Sequence, residues 1–312
     1  MRWAASIVVY GSAVDDVVEA CQALFRQTQP PDEVLVTVGP DPERAVGVAV
    51  TRAIADGRVE VRSVPGNPGF SHGHNEALAS LFAAGHEAVI VHNPDLVLRS
   101  DAAAALIGAA TGVELLGPVL ELSESGRPTG RLDTAGISWT WDGRHFDAGQ
   151  GGPLPASRAP VEVGGVSGAC LFVTHGVYER IMRSCGEFFD EDFIAYREDA
   201  ELAFRAGLLG VPSVVVPAAR GAHARSLRGT TRGVDPWVDR LGVRNRFLIA
   251  FKYGRRRPGR FGGPWMRDAV VIAGVLLRER SSLPGLREAW ALRARMRAKG
   301  RRVFAASRAG MP

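Results

Sequence analysis

Cysteine is scarce in this chain. Cys21, Cys170 and Cys185 are its three cysteines, and they show no Cys-x-x-Cys spacing. That speaks against a disulfide framework and reads as reduced core residues in a reducing compartment, so a cytoplasmic location is expected. Long apolar runs are also missing. The longest late run, Ala269 to Leu277, is far short of the ~20 residues a spanning helix needs, and no membrane crossing is expected. The N-terminal MRWAASIVVYGS reads as a first strand, because no longer apolar region or small-residue cleavage site follows it. No internal repeat or low-complexity segment stands out. Two nucleotide-binding signatures are lacking as well. A Gly-x-Gly-x-x-Gly turn does not follow the first strand, which reads Tyr10-Gly11-Ser12-Ala13-Val14, and no Gly-Lys-Ser/Thr string occurs. These absences exclude a dinucleotide oxidoreductase and a phosphate-loop ATPase.

Lysine is nearly absent: 2 residues against 36 arginines in a chain of 312. The arginines are unevenly spread. Residues 1–239 hold 19 Arg and 30 Asp+Glu, a net charge of −11, while residues 240–312 hold 17 Arg, 2 Lys and 3 Asp+Glu, a net of +16. Together they give the +5 of the whole chain. A basic helical extension, 240–312, thus follows an acidic body, 1–239. The extension suits a phosphate-bearing partner, namely anionic lipid, nucleic acid or a diphosphate-linked acceptor; solvated helices rich in arginine are the alternative. Nucleic acid fits less well, because the extension lacks interleaved aromatics.

In the body, strands and helices alternate. Strands are predicted over Trp3–Tyr10, Glu33–Val38, Val59–Val64, Ala88–His92 and Glu114–Leu120. Helices are predicted over Val14–Gln27, Pro42–Ala55, Glu76–Ala84 and Asp101–Ala110. This order predicts an α/β fold with a mostly parallel central sheet, whose first ~120 residues form the nucleotide-type half. Residues 121–165, rich in Gly and Pro, read as a loop-rich hairpin region over a site. Val166–Val173 returns to strand. Val177–Ser184 and Asp199–Leu209 read as helices, with a short strand Ser213–Val216 ending at Pro217, and basic helices follow Arg240.

Three segments carry chemistry. Ala88–His92 runs into Asn93-Pro94-Asp95, and ligands of open parallel sheets bind beyond the carboxyl ends of strands. Asp95 there either holds a divalent cation against a diphosphate or caps the following turn. Asn67-Pro68-Gly69-Phe70-Ser71-His72-Gly73-His74-Asn75 follows the third strand; its glycines and asparagines bring N–H groups and amides toward a ligand at a helix start. Tyr196 to Gly207 packs Glu198, Asp199, Glu201 and Arg205 into one helix. The cluster suits a proton acceptor near a cation site, or a solvated acidic helix start favoured by the helix dipole. His223 is placed to complete a cation site with Asp95 if the fold joins them.

The order of these motifs resembles family 2 glycosyltransferases of the GT-A fold, the rhamnosyltransferase-like branch in particular, over most of residues 5–250. NPGFSHGHN is similar to the family's Asn-x-Gly-Phe block and NPDLVL to its Asn-Pro-Asp form of the metal motif. LDTAGI, VSGACLFV, FFDEDFIAYREDAELAFRA, His223 and VRNRFLIAFKY follow in family order. The resemblance implies a GT-A-type nucleotide-sugar-binding domain, with the acceptor half over about 121–239. It implies that Asp95, with His223, binds Mg²⁺ or Mn²⁺; that Asp199 is the general base; and that Glu198 supports it while Arg205 orients the carboxylates. Tyr10, Asn67, Gly69, Gly73, Asn75 and Asn93 would contact the nucleotide-diphosphate sugar. The reaction implied is a metal-dependent, inverting hexosyl transfer, with rhamnose as one possible sugar. The acceptor would be a cell-envelope glycan, a lipid-linked intermediate or a small secondary metabolite, reached at the inner membrane face. One departure stands out. Where the family has Val-Asp-Asn after the second strand, this chain reads Thr37-Val38-Gly39-Pro40-Asp41, which leaves Asp41 as a displaced substitute. A relative that binds nucleotide sugar or glycan without turnover is the alternative.

Overall fold

The structure is a computed structural model and describes residues 1–39, 45–54, 57–67, 69–124, 127–225 and 236–309. In chain order the elements are β1 (Trp3–Val9), α1 (Val14–Phe25), β2 (Glu33–Val38), α2 (Ala45–Ala53), β3 (Val59–Ser63), α3 (Gly69–Ala83), β4 (Ala88–His92), β5 (Leu96–Leu98), α4 (Ala102–Ala109), β6 (Leu115–Glu124), β7 (Arg127–Thr134), β8 (Ile137–Trp139), β9 (His145–Asp147), β10 (Val161–Val163), β11 (Cys170–Thr174), α5 (His175–Cys185), α6 (Glu198–Leu208), β12 (Ser213–His223), α7 (Pro236–Tyr253), α8 (Gly263–Leu277) and α9 (Leu283–Arg308).

Most of the strands form one ten-stranded sheet, ordered β10-β12-β6-β11-β4-β1-β2-β3, with β5 paired to β12 and β7 to β6. Its first half, β3-β2-β1-β4, is wholly parallel. The order reverses between β1 and β4, and such a switch point opens a crevice at the strands' carboxyl ends. Beyond β4, β11 runs antiparallel, and β6 and β12 are parallel to each other. The mixed α/β architecture with a central, mostly parallel sheet is the one the alternation predicts.

Alternate strand residues feed two cores, because side chains of a strand point to opposite faces. Ile7, Ala88 and Ile90 pack with Val17, Cys21 and Leu24 of α1, while Val89 and Val91 pack with Leu78 and Leu81 of α3, Ile181 of α5 and Leu202 of α6. Covered on both faces, β4 reads as the unbroken apolar run AVIVH. Thr174 caps α5 by accepting from the Val177 N–H, and Gly186 closes it in the left-handed region at φ 80°.

The C-terminal helices share a third core with the body. Phe247, Leu248, Tyr253, Met296 and Val303 pack around Phe193, with Phe204 and Leu208 of α6 against them. Polar links join the same surfaces. Lys252 Nζ lies 2.5 Å from Asp190 and 2.6 Å from Glu201, and Lys299 Nζ is 2.5 Å from Asp190 and 2.7 Å from Glu187. Part of the positive charge of residues 240–312 therefore neutralises carboxylates of the body.

Three local expectations are corrected. Helix α3 begins at Gly69, seven residues before the predicted start, so residues 69–75 of the NPGFSHGHN segment form two helical turns. A glycine costs ~1 kcal/mol inside a helix, but at Gly73 a Cβ would stand 2.8 Å from Val8 Cγ2, so only glycine lets α3 lie this close to β1. β12 does not stop at Pro217 but runs to His223, with its register shifting between Val216 and Arg220. Proline lacks the N–H a regular ladder uses, and an irregularity in register accommodates it. Residues 121–165 hold more strand than a loop-rich region would: β6 continues to Glu124, and β7, the β8–β9 hairpin and β10 follow.

Candidate active site

A cavity of about 430 Å³ opens at the switch point. Tyr10 lines it at the end of β1, Asn93 and Asp95 at the end of β4, Asn67 and Gly69 at the start of α3, Glu198 and Asp199 at the start of α6, and His223 at the end of β12. These are the predicted site residues that the fold brings together. Asp41 falls outside the described residues. Three others lie elsewhere. Gly73 is buried between α3 and β1. The Asn75 amide donates to Phe189 O at 2.9 Å and its oxygen accepts from Phe189 N at 2.9 Å, so Asn75 anchors the segment before α6. Arg205 is fully buried and bonds Glu201 and the carbonyls of Glu187 and Phe188. It does not line the cavity; its partner is Glu201, and the expected contact with the site carboxylates is replaced by this internal pair. Asn67 lines the cavity, yet its Oδ1 accepts from the Gly69 N–H at 2.8 Å, a local turn that starts α3.

Asp95 and His223 meet as predicted. His223 Nε2 lies 3.3 Å from Asp95 Oδ1 and 3.4 Å from the Asn93 amide. Strand pairing sets this contact, since β12 runs antiparallel to β5 with His223 opposite Leu96. The other ring nitrogen, Nδ1, is 2.8 Å from Oδ2 of Asp133, which is fully buried and also bonded by Arg225. Burial alone would lower the His223 pKa, but the two carboxylates more than offset it and raise it to about 8. Asp133, within LDTAGI, has no role in the sequence reading. Its position matches the carboxylates that orient metal-bound histidines from behind.

The donor set fits a hard cation that keeps open positions. Asp95 supplies carboxylate oxygen and His223 an imidazole, and a diphosphate and waters would complete the sphere, as Mg²⁺-type sites do with few protein ligands. Among the described residues no group of three or more His, Cys, Asp or Glu side chains is arranged to hold a metal.

The second cluster begins α6. Asp199 Oδ2 accepts from the Gly168 N–H at 3.0 Å and Oδ1 from its neighbour Ala200 N–H at 2.7 Å. Burial raises the Asp199 carboxyl above its ordinary range, and these N–H groups oppose that by favouring the ionised form. Glu198 differs. It is only 6% exposed, its Oε2 is buried without a hydrogen-bond partner, and burial with the adjacent Asp199 charge raises it well above the carboxylate range. Both carboxyls are thus raised, Glu198 well above its ordinary range, while at Asp199 the Gly168 and Ala200 N–H groups favour the ionised form. Gly168, from VSGACLFV, is what permits the contact, because a Cβ there would meet Phe70 Cζ at 3.2 Å and Asp199 Cβ at 3.3 Å.

The segment leading into α6 is strained. Ile194, Tyr196 and Arg197 have φ of 65°, 66° and 70°, a region costly to residues with a side chain. Asn245 of α7 holds it, donating from Nδ2 to the carbonyls of Phe193, Ala195 and Tyr196 at 2.8, 2.8 and 2.7 Å. Arg197 Nε donates to Gly242 O at 3.0 Å. From the other side Ser71 N–H donates to Ile194 O at 3.1 Å, and Gly69, at φ 71°, leaves the room that Ile194 fills. Sequence reasoning gave Asn245 no role, although it sits in the quoted VRNRFLIAFKY.

No protein-family model matches the chain, and no curated protein does. Solved structures share its fold. GalNAc-T7, solved with UDP, GalNAc and Mn²⁺, aligns at TM-score 0.64 and 12% identity over 82% of this chain and 48% of that one. This chain therefore spans about half the length of that neighbour. The mannosyltransferase PcManGT of Pyrobaculum calidifontis, solved with GDP-Man and Mn²⁺, aligns at TM-score 0.54 and 16% identity over 99% of this chain and 86% of that one. TarS of S. aureus, residues 1–349, aligns at TM-score 0.54 and 13% identity over 100% and 92%. At these identities the likeness establishes the GT-A fold.

Proposed function

We propose that this chain is an inverting glycosyltransferase that moves a sugar from a nucleotide-diphosphate donor to an acceptor hydroxyl. One observation carries the reading. A carboxyl group held by backbone N–H groups, Asp199, and a convergent Asp95–His223 pair line the same cavity at the switch point of the sheet. The fold neighbours solved with UDP and with GDP-Man support the donor class.

Asp95 and His223 are the residues that would hold Mg²⁺ or Mn²⁺, which when bound offsets charge on the departing diphosphate. Asp199 takes the proton of the acceptor hydroxyl as that oxygen bonds to the anomeric carbon and the bond to diphosphate breaks. Glu198, which lines the same cavity, supports the base or contacts the acceptor. Tyr10, Asn67 and Asn93 contact the donor. A deoxyhexose such as rhamnose is the sugar that the motif order favours. The acceptor belongs to a cell-envelope glycan, a lipid-linked intermediate or a small secondary metabolite. Residues 240–312 bring the enzyme to an anionic membrane surface at the inner face.

A second reading, a relative that binds nucleotide sugar or glycan without turnover, draws on β2, which runs into Val38-Gly39 without the family's carboxylate there. A donor screen separates the two. The chain is incubated with dTDP-, UDP- and GDP-sugars and Mg²⁺ or Mn²⁺, and donor hydrolysis or transfer is followed by mass spectrometry. Release of nucleoside diphosphate that stops with chelator supports the enzyme. Donor binding with no release under any condition supports the second reading.

A further inference from the structure

Helix α8 is built inside out. Trp265, Met266, Val270, Ile272, Leu276 and Leu277 are all exposed, Met266 at 63% and Leu277 at 80%. Ala269 and Ala273 between them are exposed too. At 3.6 residues per turn these positions fill one continuous arc of roughly 160°, without a charge in it. The charge of the helix points the other way. Asp268 is turned toward the protein, where it bonds Arg246 at 2.9 Å and Arg257 at 2.5 Å, and Val275 is buried on that same side. An ordinary surface helix shows water its polar face, so this one is arranged to be covered.

Its surroundings indicate what covers it. Arg255, Arg256 and Arg260 stand exposed before the helix, and Arg278 and Arg280 after it, with Glu279 the exposed acid among them. A second copy laid on this face would bring two arginine rims together. An anionic lipid surface offsets the same rims, while the apolar arc enters the headgroup boundary. No helix among the described residues is long and apolar enough to cross a membrane, which leaves a helix lying in the interface plane.

The face continues to the rim of the cavity. Phe261 is 91% exposed just before α8. Trp141, itself exposed, packs on the helix start, where a Cβ on Gly263 would lie 2.3 Å from its ring, and its carbonyl accepts from the Arg260 N–H at 2.6 Å. Trp141 belongs to the turn between β8 and β9, and β9 lines the cavity through His145, Phe146 and Asp147.

We infer that the outward face of α8, extended by Phe261 and Trp141, is a docking surface for an anionic membrane, and that it sets the mouth of the cavity at the lipid interface. This gives the membrane association of the proposed function a specific surface, and it is tested without reference to sugar transfer.

The test is co-sedimentation of the full chain with phosphatidylcholine vesicles, with and without phosphatidylglycerol. The expected result is binding to the anionic vesicles at low salt, released as salt rises. Val270→Glu combined with Leu276→Glu and Leu277→Glu is expected to weaken that partition roughly 10-fold or more, since the apolar insertion is lost. Arg278→Glu with Arg280→Glu is expected to remove the preference for anionic over neutral vesicles. If the triple variant misfolds, quenching of tryptophan fluorescence by brominated lipid in the wild-type chain, reduced in Trp265→Phe, still decides the matter. Binding unaffected by the triple variant would overturn the inference, as would no binding to either vesicle. A dimer in sedimentation equilibrium that the triple variant dissociates would assign the face to a second copy instead. Transfer measured without vesicles keeps the two proposals apart: an active enzyme that ignores vesicles sinks the surface and leaves the transferase reading standing.

Discussion

The two walls of the cavity are held by different means. On the Asp95 side the sheet does the positioning. Asn93 N–H donates to Ala169 O at 2.9 Å, Ala224 N–H to Asp95 O at 3.0 Å, and antiparallel pairing with β5 lays His223 alongside. On the Asp199 side the backbone enters α6 through left-handed residues that no ladder supports, and side chains of a helix some fifty positions later hold it, Asn245 foremost. A ladder distributes the constraint over many bonds, whereas the clamp concentrates it in a few buried groups. Single substitutions should therefore damage the second wall out of proportion to their size, while the first wall answers mainly to changes in its own donors.

The largest expected effect on stability lies behind the second wall. Lys252 is buried between Asp190 and Glu201. Lys252→Met leaves two buried carboxylates short of a partner and should cost ~3–5 kcal/mol, the scale for breaking a buried pair, measured by urea unfolding. Arg295→Met, which removes an exposed partner of Asp192, should cost no more than about 1 kcal/mol. Equal losses for both would erase the contrast between clamp and surface. The same cluster fixes an acid sensitivity. Burial alone would raise the Asp190 carboxyl, but Lys252 and Lys299 hold it far below its ordinary value. A depressed pKa stabilises the fold above the unfolded-state value of ~4, and this contribution is lost as pH falls below that toward the folded-state value.

The next effect belongs to the first wall. Asp133→Asn removes the carboxylate behind His223 while keeping its size. Mn²⁺ affinity, measured by calorimetry with a nucleoside diphosphate present, should fall ~10–100-fold, the usual cost of losing such a support. Unchanged affinity would show that Asp133 does not orient the imidazole.

Asn245→Ala is the smaller and more selective test. Three carbonyls lose their donor, and the Asp199 segment loosens. Turnover should drop ~10-fold or more through lost alignment, with Mn²⁺ affinity intact. A variant in which metal binding fails and turnover per bound metal is normal would reverse the assignment of Asn245 to the Asp199 wall.

This contrast also decides what could be read in advance. The strand Ala88–His92 was legible to the residue, because an apolar run with a proline turn behind it constrains backbone locally. Helix α6 was placed within one residue, and with these two elements came Asp95, Glu198 and Asp199. The misses have one physical origin. The Asn245 clamp and the Asp133 support act across 49 to 52 and 90 residues, and no periodicity records a bond of that span. Arg205 misled for the reverse reason. Four residues after Glu201, it pairs with that carboxylate on the inner face of α6, where the pair is structural, and spacing alone does not say which face is inner. Gly73 and Asn75 suit ligand contacts in a glycine-rich turn by sequence, while helix-to-strand packing at Val8 and bonding to Phe189 are what they serve.

The measurement that bears most directly on the central claim is transfer by Asp199→Asn alongside its donor affinity. The substitution keeps the size and one of the two backbone N–H bonds, to Gly168 or to Ala200, but removes the proton acceptor. The account predicts a loss of ~10²-fold or more in turnover, with nucleotide-sugar binding in Mn²⁺ unchanged. Turnover near the wild-type value would contradict it and leave Asp199 as a structural start to α6.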